Sequence, residues 1–186
     1  MGYDVGTLNK PPILLDAYYT PRELAAFLVD LLPIRDGDLI LEPSAGGGAF
    51  VSALVEKTSE VVAIDLNPDA PGLKMVRSAV CDFLDILPPT APFWIIGNPP
   101  YFNAIEHVKH AIDCTERHVC FLLRLSFLES KRRAEFWGKN PCRKVFVLSE
   151  RPSFTGGKTD SSAYAFFWWD TLPRGPTELE VVQWTR

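Results

Sequence analysis

The run from Phe93 to Tyr101 constrains this chain more than any other stretch. It is an apolar segment that ends in Gly97-Asn98-Pro99-Pro100-Tyr101. Phe93 to Ile96 is short and apolar, the pattern of a buried strand. Two prolines follow closely. Neither donates a backbone hydrogen bond, and each keeps the residue before it out of the helical region. The strand therefore stops in a stiff, extended turn. In open α/β sheets, ligands sit at the carboxyl ends of strands. This turn offers an amide, carbonyls beside prolines and an aromatic ring. Such a set suits a planar target with an amino group: oxygens accept its hydrogens and the ring stacks on its face. A proline-rich turn with a packing tyrosine is the plainer reading, and the turn alone does not separate the two.

The rest of the chain alternates strands and helices. Residues 1–17 read as an irregular lead-in marked by Pro11-Pro12, and 18–186 as one domain, which suits the length of 186 residues. Thr20-Pro21 with Glu23 reads as a capping box, and Leu24, Phe27, Leu28 and Leu31 recur at helical spacing behind it. Asp38 to Leu41 reads as a strand that runs into Glu42-Pro43-Ser44-Ala45-Gly46-Gly47-Gly48. This glycine-rich turn opens a helix near Ala49 to Glu56. Val61 to Ile64 is the next strand. It ends at Asp65, 19 positions after Gly46, close to the ~20-residue offset at which an acid reaches ribose hydroxyls in nucleotide-binding units. The turn lacks the Gly-Lys-Ser/Thr ending of a phosphate loop, which argues against phosphate transfer.

Further strands are expected at Ala79 to Cys81, capped by Asp82-Phe83, and at Val119 to Leu123, Val145 to Leu148 and Ala163 to Trp169, with Glu178 to Trp184 a candidate for one beyond these seven. Helices are expected around Ile105 to Ile112 and from Phe127 to Trp137, the latter with Lys131, Arg132 and Arg133 outward. This order predicts an α/β fold: a mainly parallel, seven-stranded sheet with an antiparallel edge and helices on both faces. Phe166-Phe167-Trp168-Trp169 reads as core and edge packing.

Composition narrows the function. No apolar run is long enough to span a membrane. Cys81, Cys114, Cys120 and Cys142 have no zinc-ligand spacing and read as reduced thiols of a cytoplasmic protein. The net charge of −4 argues against a general nucleic-acid coat, but the charge is uneven. Residues 1–100 hold 6 basic and 13 acidic side chains, whereas residues 101–186 hold 13 and 10. The basic cluster between Arg117 and Lys158 can attract phosphate. A solvated helix face explains Lys131 to Arg133 equally well.

Four features thus fall at successive strand ends: Glu42 to Gly48, Asp65, Asp82-Phe83 and Asn98 to Tyr101. In this order the sequence resembles the S-adenosylmethionine-dependent amino-methyltransferases, specifically the adenine-N6 DNA methyltransferases, over about residues 18–170. The family's Asn-Pro-Pro-Tyr motif stands at Asn98-Pro99-Pro100-Tyr101. Its glycine-rich cofactor motif stands at Leu41 to Phe50, its Tyr-Thr-Pro element at Tyr19-Thr20-Pro21, and its Asp-Phe pair at Asp82-Phe83.

The resemblance implies a Rossmann-like class I methyltransferase domain with S-adenosylmethionine as cofactor. Thr20 and Pro21 would touch its methionine part, and Ser44, Ala45 and Gly46 would line that end. Glu42 would hold the loop or the amino group. Asp65, with Leu66, would hold the ribose, while Asp82 and Phe83 would meet the adenine. Asn98, Pro99, Pro100 and Tyr101 would form the catalytic turn, with Asn98 also near the cofactor. Tyr101 would stack on the target base, and Phe154, Lys131 and Arg132 are further substrate candidates; packing explains Phe154 as well. No metal is implied.

The chain departs from the family in having only 85 residues after Tyr101, too few for a long recognition domain. Sequence reading would fall to the loop at 149–162, the basic segment near Lys131 or a partner subunit. RNA adenine and a protein glutamine amide remain alternative substrates, and a non-catalytic methyltransferase-like binding subunit is a third reading.

Overall fold

Strands whose every side chain is hidden need cover on both faces, and that requirement sets the architecture. The computed structural model describes residues 19–154, 160–172 and 175–184. The lead-in over 1–17, Gly156-Gly157 and Lys158 lie outside them. β4 (Trp94–Gly97) is buried at all four positions, and β5 (His118–Arg124) and β7 (Tyr164–Asp170) at six of seven. They are joined by β1 (Ile40–Glu42), β2 (Val61–Asp65), β3 (Arg77–Val80), β6 (Lys144–Leu148) and β8 (Glu178–Val182). Among the described residues these form one sheet in the order β3-β2-β1-β4-β5-β7-β6-β8. The ladders from β3 through β5 are parallel. β7 runs antiparallel to β5 and β6, and β8 adds parallel to β6. The sheet has eight strands rather than the seven expected, because Glu178–Val182 extends it beyond β6.

Helices α1 (Arg22–Asp30) and α2 (Ala49–Val55) cover one face. Leu24, Leu28 and Leu54 meet Trp94, Ile96 and Phe166 there. Helices α3 (Ala104–Cys114) and α4 (Ala134–Lys139) cover the other, where Val108 and Phe136 meet Ile95, Phe121 and Phe167. Successive strand residues point to opposite faces, so the aromatic run 166–169 fills both layers and is core throughout. The four cysteines are free thiols. Among the described residues no helix is long and apolar enough to cross a membrane.

The helix expected over Phe127 to Trp137 is absent as such. Two 3₁₀ turns, Leu125–Leu128 and Lys131–Arg133, precede the short α4. Phe136 lies nine positions after Phe127. At about 100° per residue one helix would send them to opposite sides. The break lets both rings enter one core layer. The Arg133 guanidinium satisfies carbonyls at the break, donating to Ser126 O at 2.8 Å and to Glu129 O.

At the β8 edge, Lys144 pairs with Glu180 at 2.7 Å, a contact with half-exposed glutamate. Glu180→Gln should therefore lower the unfolding free energy from a denaturant titration by under ~1 kcal/mol. A larger loss would mean that the edge strand depends on this pair.

The chain winds from β1 outward to β3, then returns to lay β4 on the other side of β1. The strand order reverses between β1 and β4, and a crevice opens beyond their carboxyl ends.

Candidate functional site

Two strand ends are locked together beneath the crevice. Glu42 ends β1, is 1% exposed, and accepts the Ser44 N–H at 2.9 Å. Gly97 ends β4 against that carboxyl, and a Cβ there would collide with its oxygens. Burial, opposed by the Ser44 hydrogen bond and aided by the Asp65 charge, lifts the Glu42 pKa to about 8. Glu42 thus supports the loop from below and lies outside the crevice lining.

The glycine-rich turn is held by backbone bonds. Ala45 N–H donates to Ile64 O at 2.9 Å, and Gly46 N–H donates to Asp65 Oδ2 at 2.7 Å. Gly48 caps α2 with φ of +82°, and a Cβ there would strike Met75 Sδ. The other Asp65 oxygen accepts Asn67 N–H at 2.8 Å. Each carboxylate oxygen can accept twice, so Asp65 keeps capacity for a ligand hydroxyl. Asp82 likewise accepts Leu84 N–H at 2.9 Å through one oxygen.

Ser44, Gly46, Asp65, Leu66, Asp82 and Phe83 all line the crevice, as do Asn98, Pro99, Pro100 and Tyr101. Leu66 stands at the rim, 63% exposed. The Phe83 ring is turned to the core, edge-on to His110 at 4.7 Å, and gives the crevice little surface. Ala45 is buried below the loop against Gly72. Lys131 and Arg132 are exposed on a 3₁₀ turn, and neither they nor Phe154 line the crevice.

Thr20 does not cap α1. Pro21 occupies the cap position with no side-chain bond, and the Thr20 hydroxyl instead accepts from Asn98 Nδ2 at 3.1 Å. This contact spans 78 residues and turns the carboxamide oxygen away from Thr20. The Tyr101 phenol stands beside the same carboxamide, and burial holds it well above its ordinary pKa. Pro21 contributes through its carbonyl, which accepts Ala25 N–H at 3.0 Å and starts the helix.

The structure adds lining residues to which the sequence reading gave no role. The Tyr19 ring rests on the backbone of Gly46 and Gly47. Asn103 enters from the cap position of α3 and His107 from its first turn, and His107 Nδ1 lies 3.1 Å from Asn103 O. Burial chiefly lowers the His107 pKa. Their four-residue spacing just after the Pro-Pro turn was the available signal.

No family model matches the chain. Over 135 residues it is 34% identical to the Type II methyltransferase M.TthHB8I of Thermus thermophilus, covering 70% of this chain and 31% of that protein. It is 30% identical over 99 residues to the Type II methyltransferase M.CvrRI of Paramecium bursaria Chlorella virus XZ-6E, covering 50% of this chain and 26% of that protein. The chain spans about a third or less of these relatives' length.

A Listeria monocytogenes protein assigned to the class I S-adenosylmethionine-dependent methyltransferases superposes with TM-score 0.71 at 11% identity, covering 92% of this chain and 67% of that one. The chain has the class I S-adenosylmethionine-dependent methyltransferase fold. The 23S rRNA methyltransferase ErmE shares it with TM-score 0.62 at 18% identity, over 83% of this chain and 71% of that one. The EcoKI M protein, of a type I restriction enzyme, shares it with TM-score 0.66 at 12% identity, over 84% and 44%. The resemblance to amino-methyltransferases drawn from the motifs agrees with the Type II relatives. S-adenosylmethionine is the cofactor of this methyltransferase fold. The residues at the switch point fit it: acceptor capacity at Asp65 and Asp82, a close-approach glycine turn, and an apolar rim at Leu66.

Proposed function

We propose that this chain methylates the exocyclic N6 amino group of adenine in DNA. One observation carries the reading: the Asn98 carboxamide is oriented by Thr20 at the wall of the crevice that also holds Asp65 and Asp82. S-adenosylmethionine, when bound, supplies a methyl group on a sulfonium sulfur. The work of the chain is on the amine. Its lone pair is delocalised into the ring, so it is a weak nucleophile. The Asn98 side-chain oxygen and the Pro99 carbonyl each accept one amine hydrogen. This draws the nitrogen toward tetrahedral geometry and frees the lone pair for in-line attack. The gain is orientation and charge stabilisation. A base within a duplex must leave the stack to reach the crevice, and Tyr101 stacks on it once there.

The kinship with Type II methyltransferases supports DNA as substrate, and a cytoplasmic site of action goes with it. The domain over 18–186 is the catalytic unit, and the loop at 149–162 meets the nucleic acid. Sequence recognition is shared with the basic segment near Lys131 or with a partner subunit.

Labelled S-adenosylmethionine offered with duplex DNA, single-stranded DNA, RNA and protein extract tests the reading. Label at adenine N6 of DNA supports it; label confined to RNA or to glutamine overturns it. Thr20 supplies a second check. Thr20→Val keeps the shape but removes the acceptor, so kcat should fall about tenfold, the worth of one hydrogen bond, while Thr20→Ser retains activity. Unchanged kcat in Thr20→Val removes Thr20 from the mechanism.

A further inference from the structure

Behind the Pro-Pro turn, side chains converge that the proposed mechanism leaves unused. Arg124 ends β5, and Tyr164 is its register partner on β7. The Arg124 guanidinium lies over the Tyr101 ring, 5.2 Å from its centre. The Tyr164 ring is fully buried, 5.6 Å from the Tyr101 ring and 5.0 Å from that of Phe154. Its hydroxyl donates to Asp160 Oδ2 at 2.8 Å. Asp160 is itself pinned. Its Oδ1 accepts Ser162 N–H at 3.0 Å, and its N–H donates to Pro152 O at 3.1 Å. One residue therefore joins both described ends of the 149–162 loop to the tyrosine that touches Tyr101, its carboxylate bonding Tyr164 and Ser162 and its backbone N–H bonding Pro152.

The chemistry makes Asp160 hard to replace. A buried tyrosine hydroxyl needs a partner for its hydrogen. The Arg124 guanidinium acts on this hydroxyl as well, but a guanidinium only donates. The acceptor role falls to Asp160, and a charged acceptor makes the stronger bond. Close packing passes a tilt of Tyr164 to the rings on either side of it.

We propose that Asp160 is a positioning residue: through Tyr164 it sets the Tyr101 ring and ties it to Phe154, so that the described ends of the 149–162 loop and the catalytic turn are held as one unit. The identity of the ring that Tyr101 receives rests on the adenine-N6 reading, whereas the placement of Tyr101 does not.

The test uses the full chain labelled with 3-fluorotyrosine. The Tyr101 and Tyr164 resonances are assigned with Tyr101→Phe and Tyr164→Phe. In Asp160→Ala the Tyr101 resonance should shift or broaden. In Asp160→Asn, whose amide oxygen still accepts, it should stay near its wild-type position. With DNA substrate, Asp160→Ala should raise KM for DNA or lower kcat by about tenfold or more, because small misplacements at a reacting centre are costly. S-adenosylhomocysteine affinity should hold within about twofold, since Asp160 lies outside the crevice lining. Asp160→Asn should recover most of the turnover.

An unmoved Tyr101 resonance in Asp160→Ala overturns the proposal. So do unchanged kinetics, or cofactor affinity falling in step with turnover. If the wild type methylates no adenine, the functional reading fails by itself, and the fluorine spectrum still decides the placement of Tyr101.

Discussion

An Asn98→Ala protein is expected to bind S-adenosylhomocysteine nearly as tightly as the wild type and to transfer methyl groups about a hundred- to a thousandfold more slowly. The crevice explains the split. Asp65, Asp82 and the glycine turn hold their places through backbone bonds to Gly46, Asn67 and Leu84, none of which involves residue 98. Removing the carboxamide therefore leaves the cofactor end intact. It takes away the oxygen that accepts an amine hydrogen, and with it the partner of the Thr20 hydroxyl. Losing an interaction made chiefly in the transition state lowers kcat and kcat/KM together. The measurement is single-turnover transfer at saturating DNA, alongside a cofactor-binding titration. Wild-type turnover in Asn98→Ala would sink the assigned role. Loss of cofactor binding together with turnover would also sink it, because Asn98 would then be holding the crevice in shape rather than acting on the amine.

The parts of the site that local chemistry dictates were legible in the sequence. Paired prolines stop a strand wherever they occur, and glycines mark a tight strand-to-helix turn, so the turn at 98–101 and the loop at 43–48 stand where expected. Asp65 was readable from its spacing. The long-range partnerships were not. The partner of Thr20 lies 78 residues away, and the capping-box pattern offered that hydroxyl a complete local job that it does not take. The segment 127–137 carried helical periodicity, yet two aromatics bound for one core layer broke it. Tyr164 meets Arg124 only because β7 pairs antiparallel with β5, a register that no local pattern announces. Glu42 read as holding the loop or the amino group, and its bond to Ser44 N–H holds the loop, but its burial follows from the β4 backbone approaching at Gly97.

That burial has a thermodynamic signature. The Glu42 pKa is about 8 in the folded chain against an ordinary 4.5. Between these values the folded protein keeps a proton that the unfolded chain has released. Stability is therefore complete below about pH 4.5 and is lost as pH rises through about 8. His107 runs the other way: its pKa is lowered, so stability it withholds in acid returns as pH rises toward 6.5, the ordinary value. Above pH 6.5 that effect is spent, and the window up to pH 8 belongs to Glu42. The cofactor-free protein should lose about 2 kcal/mol of unfolding free energy across that window, from roughly 1.4 kcal/mol per pH unit. Glu42→Gln keeps an oxygen for the Ser44 N–H and carries no charge, so its stability should be flat there and above the wild type at pH 8. Denaturant titrations at half-unit steps from pH 6.5 to 8 decide it. A wild type as flat as the variant means that the Glu42 carboxyl is ionised throughout. Its burial would then have to be offset by a cation or donor beyond Ser44.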